Sequence, residues 1–229
     1  FPQFFTKKGS LSYSLQLRLA LNRARYVLTI SNTVLSELSL VNNKTNRAVV
    51  SLGLHDWVFK AQNAINYSSL KEKYSLPKEF FIIISTLEPR KNHISLIKAF
   101  AEFVKLHPEV KLVIVGKKGW FYEKIFETVK KLSLESSVIF TGYVPDEDLP
   151  GLIDLSIGGV MLSFYEGFGL PVIEILARNK KILLSDIPVF KEVAKGLNNV
   201  TFTKIDSYTD IVEGLKTTYS SNTMTQKDV

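Results

Sequence analysis

Residues 163–174, SFYEGFGLPVIE, combine the residue types in this chain that are best suited to hold a polar ligand. Gly167 and Gly169 stand between a predicted strand and a predicted helix, where glycines let the backbone approach a ligand closely. The N–H groups and the dipole at the start of that helix favour an anion such as a phosphate. We expect Glu166 to point from the strand end into a cleft, and Glu174 to lie in the first helical turn. Carboxylates there can accept hydrogen bonds from hydroxyl groups, and a phosphate beside hydroxyl groups describes a sugar nucleotide.

A plainer interpretation of the two acidic residues is also open. Glu174 could serve only the helix dipole, and Glu166 could be an ordinary surface residue. Pro171 supports the helix itself, because proline is favoured in a first helical turn.

Alternating strands and helices must position this segment, and they begin near residue 80. Short apolar runs, typical of strands buried on both faces of a parallel sheet, cover residues 80–85, 111–115, 138–141, 159–162, 181–185 and 199–202. Helical patterns lie between them at 121–132, at 146–154 and after Asn92, a plausible N-cap. The alternation predicts an α/β fold with a doubly wound, Rossmann-like parallel sheet. Its ligand should lie at the carboxyl ends of the strands.

The first part of the chain follows a different pattern. It predicts a helix over 11–24, a strand over 26–31, a helix from Asn32 or Thr33 to Leu40, and a strand over 48–52. Two strands are too few for an independent Rossmann-like domain. We therefore divide the chain into a remnant of an N-terminal Rossmann-like domain (1–54), a hinge and connector (55–79), and a C-terminal sugar-nucleotide-binding domain (80–229). The remnant is expected to be the end of a domain whose beginning is missing.

Composition excludes several other classes of protein. The chain has 229 residues, 45% of them hydrophobic, and no cysteine, which excludes thiol catalysis and a disulfide-stapled fold. Its histidines, His55, His93 and His107, are scattered and have no metal-ligand spacing, so we expect no metal cofactor. No apolar run reaches the roughly 18–20 residues of a membrane-spanning helix.

The charge balance favours small anionic partners. Against 22 acidic residues the chain has 29 Lys and Arg, a net charge of +7. The lysine pairs are isolated and are not interleaved with aromatic residues, so we do not expect nucleic-acid binding.

Several segments together resemble the "glycosyl transferases group 1" family of retaining glycosyltransferases with the GT-B fold. EGFGLPVIE at 166–174 is similar to the E-x7-E signature of that family. Further segments match in order: TLEPRKN at 86–92, LVIVGKKGW at 112–120, FTGYVPD at 140–146 and SDIPVFKE at 185–192. Residues 24–31 resemble the last strand of the N-terminal domain of the family. The chain departs from the family at 177–182, ARNKKI, where a turn with Gly and Pro is common.

The resemblance implies roles for individual residues. Arg90 and Lys91 would hold the diphosphate of a nucleotide-sugar donor, Glu166 would bind hydroxyl groups of the donor sugar, and Glu174 would bind the ribose. Arg90, Lys91 and Glu166 form the implied catalytic set. The remaining implied donor-binding positions are Gly167, Phe168, Gly169 and Leu170 around the phosphate and sugar, Tyr143 and Val144 at the base, and Gly116 and Lys117 at a neighbouring strand end.

The resemblance also implies an activity. It is the metal-independent, retaining transfer of a hexose from a UDP- or GDP-sugar to a glycan or lipid-linked acceptor. The expected setting is surface polysaccharide synthesis in the cytoplasm, with peripheral contact at the inner membrane face as an option. The chain alone would be inactive, because the missing N-terminal domain or a partner subunit must hold the acceptor. The alternative is a nucleotide-sugar-binding module or subunit without transfer activity of its own.

Overall fold

The first part of the chain forms a small parallel sheet with two helices. The computed structural model describes residues 7–41 and 46–225. The elements are α1 (Lys7–Arg23), β1 (Tyr26–Thr29), α2 (Asn32–Val41) and β2 (Asn46–Val49). β1 and β2 pair in parallel, with Tyr26 opposite Asn46. The helix predicted over 11–24 begins earlier, and both strands are shorter than predicted. Parts of the predicted 1–54 and 80–229 units, at 1–6, 42–45 and 226–229, lie outside the described residues.

A six-stranded parallel sheet forms the larger part. Its elements, with the short helix that precedes it, are α3 (Tyr67–Lys73), β3 (Glu79–Ile84), α4 (His93–Leu106), β4 (Val110–Val115), α5 (Glu123–Lys131), β5 (Val138–Gly142), α6 (Leu149–Leu155), β6 (Gly158–Met161), α7 (Leu170–Ala177), β7 (Lys181–Ser185), α8 (Pro188–Val193), β8 (Val200–Thr203) and α9 (Tyr208–Thr225). The strand order is β5-β4-β3-β6-β7-β8, and every pair is parallel. This is the doubly wound order, so the predicted α/β fold is confirmed.

The core explains why β3 is a continuous apolar run. Phe81 and Ile83 pack in one cluster with the inner face of α4, while Phe80 and Ile82 pack in a second cluster with α3 and α6. All four side chains are buried. A strand covered on both faces has no position for a polar residue, which is why its sequence does not alternate.

The segment 55–79, predicted as a polar connector, is more structured than expected. Asn66 caps α3 by accepting a hydrogen bond from the N–H of Ser69 (3.1 Å), and Leu70 is buried against the sheet. Asp148 holds the end of the segment, because its carboxylate accepts hydrogen bonds from Lys73 (2.7 Å) and Tyr74 (2.6 Å). A helix of seven residues with one buried side chain leaves almost no periodic signal in the sequence.

Two further details differ from the prediction. Asn92 precedes α4 as expected, but its side chain makes no capping hydrogen bond, because its backbone is left-handed (φ 57°) after a short 3-10 turn. The sequence analysis did not predict α9, which packs on α4.

No helix in the described ranges has both the length and the apolar character that are needed to cross a membrane.

Candidate active site

The loops that follow β3 and β6 meet at the carboxyl end of the sheet. These two strands are neighbours, although they are far apart along the chain, and the strand order reverses between them. The N–H of Phe164 donates a hydrogen bond to the carbonyl of Arg90 (2.9 Å), which ties the loops together. In doubly wound sheets ligands bind at such a reversal point. The fold therefore brings Arg90 and the glycine-containing segment 163–174 to the position where a ligand is expected.

Glu166 is the centre of this junction. Its carboxylate accepts hydrogen bonds from Arg90 Nη1 (2.9 Å), Lys91 Nζ (2.5 Å) and Ser163 Oγ (2.8 Å). The side chain is only 8% exposed. Burial opposes its ionisation, but Lys91 and Arg90 outweigh burial and hold the pKa of Glu166 below its usual value. Glu166 is thus an ionised carboxylate beneath the surface rather than a projecting surface residue.

Arg90 bridges both loops. In addition to Glu166 it donates to the carbonyl of Tyr165 (2.8 Å), and it forms an ion pair with the buried Glu88 (2.6 Å). The Arg90 side chain remains 21% exposed and the Lys91 side chain 13% exposed. Both cations therefore reach solvent at the cleft while carboxylates fix their positions.

An open cleft of about 440 Å³ lies beside this junction. Six of the predicted site residues line it: Arg90, Lys91, Gly116, Lys117, Tyr143 and Val144. The sequence analysis did not assign four other lining residues as site residues, namely Ser85, Thr86, Glu88 and Asp146, although the last three lie in the matched segments 86–92 and 140–146. Their positions at strand ends could have indicated them, since Ser85 and Thr86 directly follow β3, and Asp146 comes shortly after β5.

The ends of β4 and β5 form the far wall of the cleft. Gly116 has φ 151°, and a Cβ there would lie 1.9 Å from the carbonyl oxygen of Ser85, so only glycine fits this approach of β4 to β3. The Gly116 N–H donates to the carbonyl of Gly142 (2.8 Å), where the pairing of β4 with β5 changes register. Lys117 places its ammonium 4.2 Å from the ring centre of Tyr143. The Lys117 ammonium and the Tyr143 ring therefore form one edge of the cleft together.

The glycine turn before α7 has the expected position, but it already makes contacts with other parts of the chain. Gly169 has φ 94°, and a Cβ there would lie 2.7 Å from the Phe190 ring, so both backbone and space require glycine. The carbonyl of Gly167 accepts a hydrogen bond from Ser31 Oγ (2.7 Å). Phe168 and Leu170 are half-buried beside it, and none of these four predicted residues lines the described cleft.

The prediction that Glu174 lies in the first turn of its helix is wrong. Since α7 begins at Leu170, with Pro171 in its first turn, Glu174 stands one turn further along and is 8% exposed. Burial, and next the nearby carboxylate of Asp146, raise the pKa of Glu174 to about 7, while His55 acts in the opposite direction. Glu174 thus lies near Asp146, which lines the cleft, but does not line the cleft itself.

The start of α2 docks on α8 next to the site. The Glu192 carboxylate accepts hydrogen bonds from the N–H groups of Asn32 (2.7 Å) and Thr33 (2.9 Å) and from both of their side chains. Tyr165 OH donates to Glu37 of α2 (2.7 Å). The first sheet is therefore attached to the same loop that carries Glu166.

The side chains available for a metal are few. Among residues 7–41 and 46–225, no three acidic or histidine side chains are grouped so that they could hold a metal ion. The charged centre of the site is instead a set of ion pairs between Arg90, Lys91, Glu88 and Glu166.

Comparison with proteins of known sequence identifies relatives that are named as mannosyltransferases. The chain is 29% identical to "O-antigen chain mannosyltransferase B" of Escherichia coli, over 84% of this chain and 51% of that protein. It is 28% identical to "O-antigen chain mannosyltransferase RfbU" of Salmonella typhimurium, over 84% of this chain and 50% of that protein. The chain thus spans about half the length of these curated relatives.

Solved structures share the fold. Sucrose-phosphate synthase from Thermosynechococcus elongatus superposes with a TM-score of 0.81 at 17% identity, over 97% of this chain and 56% of that one. Anabaena HepE in complex with UDP and glucose gives a TM-score of 0.75 at 19% identity, over 95% of this chain and 58% of that one. The sequence model for "Glycosyl transferases group 1" matches residues 68–227, which is most of the chain. The chain therefore belongs to the glycosyl transferases group 1 family.

Proposed function

We propose that this chain supplies the donor site of a retaining hexosyltransferase that uses a UDP- or GDP-sugar. The observation that carries the proposal is the meeting of Arg90, Lys91 and Glu166 beside a cleft at the reversal point of the sheet. The names of the O-antigen mannosyltransferase relatives favour mannose as the hexose. They also favour surface polysaccharide synthesis, with a glycan or lipid-linked acceptor, as the setting.

Arg90 and Lys91 are the groups proposed to act on the diphosphate. Negative charge grows on the leaving diphosphate as the glycosidic bond breaks, and fixed cations stabilise that charge more than they stabilise the ground state. Glu88 and Glu166 hold both cations at the cleft before a ligand arrives, and a diphosphate would compete with these carboxylates for the N–H donors. A planar guanidinium can also bind two phosphate oxygens through two parallel N–H groups, whereas a lysine ammonium acts as a point charge.

The other proposed contacts lie on the walls of the cleft or, for Glu166 and Glu174, near it but outside the residues that line it. Glu166 would accept hydrogen bonds from hydroxyl groups of the donor sugar, and Glu174 from the ribose. Tyr143 and Val144 would border the base, and the close approach at Gly116 leaves backbone at the cleft wall. The leaving phosphate itself would accept the proton of the acceptor, so this half needs no protein base. Arg90 and Lys91 would neutralise the diphosphate without a metal.

The acceptor is proposed to bind outside this chain. Transfer requires the acceptor to be held against the donor, and the chain spans about half the length of its relatives. We therefore expect the chain to bind nucleoside diphosphates without transferring sugar, and the complete protein to act in the cytoplasm, with peripheral contact at the inner membrane face as an option.

A second candidate is a binding subunit that works with a separate partner. Tyr26, Leu28 and Val50 in and beside the first sheet are each more than half exposed, and exposed apolar groups on a sheet favour a partner. Size-exclusion chromatography separates the two proposals, because a subunit should elute in a defined complex with its partner.

Calorimetric titration with UDP, GDP and ADP tests the donor site. We expect one of the diphosphates to bind, and Lys91→Ala to weaken its binding at least tenfold, about 1.4 kcal/mol. Lys98→Ala is the matched control, since Lys98 is an exposed lysine on α4 outside the cleft. Absence of binding by all three nucleotides, or equal losses in both variants, would contradict the proposal.

A further inference from the structure

Ser31 lies where the first sheet meets the glycine turn of the candidate site, and the proposed function gives it no role. It directly precedes α2 and is 1% exposed. Its Oγ accepts a hydrogen bond from the N–H of Val34 (3.2 Å) and donates one to the carbonyl of Gly167 (2.7 Å). An N–H can only donate and a carbonyl oxygen can only accept, so both directions are fixed. The hydroxyl hydrogen of Ser31 is therefore donated to Gly167.

Capping of α2 explains only half of this arrangement. A serine at the start of a helix caps it by accepting a hydrogen bond from an N–H, as Ser31 does from Val34. The hydrogen bond to Gly167 joins residues 136 positions apart, and a helix cap does not require it. In the described part of the chain, Ser31 is the only hydrogen-bond donor to the Gly167 carbonyl. Ser31 thus fixes the direction of this carbonyl.

The large sheet holds the neighbouring part of the loop but not Gly167. Arg90, in the loop after β3, donates a hydrogen bond to the carbonyl of Tyr165 (2.8 Å). Gly167 lies instead against the segment between β1 and α2, since a Cβ built on it would be 3.2 Å from Cδ1 of Ile30. The loop is therefore held from two sides, and the first sheet holds the end that continues into the glycine turn.

Fixing the Gly167 carbonyl also fixes the direction of the next N–H. The described peptide bonds are all trans, and in a planar trans peptide the C=O and the N–H point in opposite directions. The N–H of Phe168 therefore points away from Ser31, and no described residue accepts a hydrogen bond from it. Backbone N–H groups are strong donors that need a partner, so this N–H is available to a ligand.

The position of Phe168 favours the sugar of the donor over its phosphates. Arg90 and Lys91 line the cleft, whereas Glu166 and Phe168 lie beside it without lining it. The sugar of a nucleotide sugar extends beyond the diphosphate. A hydroxyl group both donates and accepts, so it matches the Glu166 carboxylate and the Phe168 N–H together, whereas an ionised phosphate oxygen only accepts.

We infer that Ser31 is a positioning residue for the donor sugar: by holding the Gly167 carbonyl it presents the Phe168 N–H to a hydroxyl oxygen of that sugar. The inference rests on the proposed function and extends it to a residue that the sequence analysis did not select. It makes the first sheet part of the donor site, although none of its described residues lines the cleft.

Dissociation constants for a nucleotide sugar and for the matching nucleoside diphosphate test the inference in the 229-residue chain. The probes are GDP-mannose with GDP, and UDP-glucose with UDP. We expect Ser31→Ala to weaken binding of the nucleotide sugar about fivefold, roughly 1 kcal/mol, and to leave binding of the diphosphate unchanged. A second measurement needs no variant. In NMR spectra of the wild-type chain, the Phe168 amide proton should move further downfield with the nucleotide sugar than with the diphosphate.

Ser207→Ala is the matched control, because Ser207 caps α9 by accepting a hydrogen bond from the N–H of Asp210 (3.3 Å) and lies outside the cleft. It removes a helix cap, as Ser31→Ala does, and should change neither affinity. Unchanged binding of the nucleotide sugar by Ser31→Ala, or an equal loss for both ligands, would overturn the inference. An equal response of the Phe168 amide to both ligands would also overturn it. A wild-type chain that binds no nucleoside diphosphate would instead overturn the proposed function itself.

Discussion

At the scale of single residues, the candidate site is a set of charges that neutralise each other in the structure. Arg90 contacts Glu88 and Glu166, and Lys91 contacts Glu166, so each cation already has a carboxylate partner. A diphosphate entering the cleft would compete with these carboxylates for the same N–H donors. The arrangement therefore favours a ligand that carries at least two negative charges over one that carries a single charge.

The stability of the chain should depend on pH through Glu174. Its native pKa is about 7, against 4.5 for the ordinary carboxyl group, so the native state keeps its proton when the unfolded state has lost it. The contribution of Glu174 to stability should therefore fall as pH rises from about 4.5 to about 7 and then level off, by about 3 kcal/mol, while the lowered pKa of His93 acts in the opposite direction over much of this range. Glu174→Gln has no proton to lose. Its thermal midpoint should rise relative to wild type between pH 5 and pH 8.

The exposed Glu135, in the loop before β5, gives the control for that experiment. Glu135→Gln should keep a constant difference from wild type across the same pH range. A constant difference for Glu174→Gln as well would mean that the Glu174 carboxyl titrates normally.

Sequence alone located part of the site at this scale. Arg90, Lys91 and Glu166 come together as the motifs indicated, because a motif fixes which strand end carries each residue. Ser85 and Asp146 were not selected, although Asp146 ends the matched segment 140–146 and Ser85 directly precedes the matched segment 86–92. Their place in the cleft depends on the pairing of strands that are distant in sequence.

At the scale of elements, burial decided which predictions succeeded. The strands of the large sheet are continuous apolar runs, and β7 was predicted with the observed bounds Lys181–Ser185. Elements that depend on contacts between distant segments were harder to predict. The docking of α2 is an example, because its N-terminal amides are satisfied by Glu192, about 160 residues further along the chain.

Removing the carboxylate of Glu192 should loosen α2. Burial opposes its ionisation, but hydrogen bonds from Asn32 and Thr33 outweigh burial and keep the pKa of Glu192 below its usual value. Its contribution should therefore be present above the ordinary carboxyl pKa and disappear as pH falls through the lowered native value. In Glu192→Ala the amides of Asn32 and Thr33 should exchange with deuterium about fivefold faster, as expected for a lost cap of about 1 kcal/mol.

Glu127→Ala is the matched control, because Glu127 is an exposed residue on α5. It should leave exchange at Asn32 and Thr33 unchanged, and β4 amides should be unaffected in both variants. Unchanged exchange in Glu192→Ala would mean that α2 is held by other contacts.

At the scale of the whole molecule, a buried ion pair attaches the connector to the large sheet. Arg178 pairs with Asp154, and both side chains are almost fully buried. Arg178 Nη1 also donates to the carbonyls of Val58 (2.8 Å) and Lys60 (2.9 Å), and Asp154 accepts from Tyr67 OH (2.9 Å). Arg178 lies where the sequence departs from the family at 177–182, so this departure coincides with the attachment of the connector.

The doubly wound architecture could be predicted because alternation of strands and helices leaves few topologies. The mutual placement of the two sheets could not be predicted. It depends on polar contacts such as that of Glu192 with Asn32, and the placement of the connector depends on that of Arg178 with Val58. The spacing of these segments in sequence predicts neither contact.

The central claim is that a nucleotide-sugar donor binds where the loops after β3 and β6 meet. Backbone NMR spectra of the labelled chain, recorded while UDP or GDP is added, test it most directly. The account predicts shift changes concentrated at residues 85–91, 116–117, 143–146 and 163–170. Changes concentrated instead in the groove between α4, α5 and α9, around Lys98 and Lys131, or no changes with either nucleotide, would contradict it.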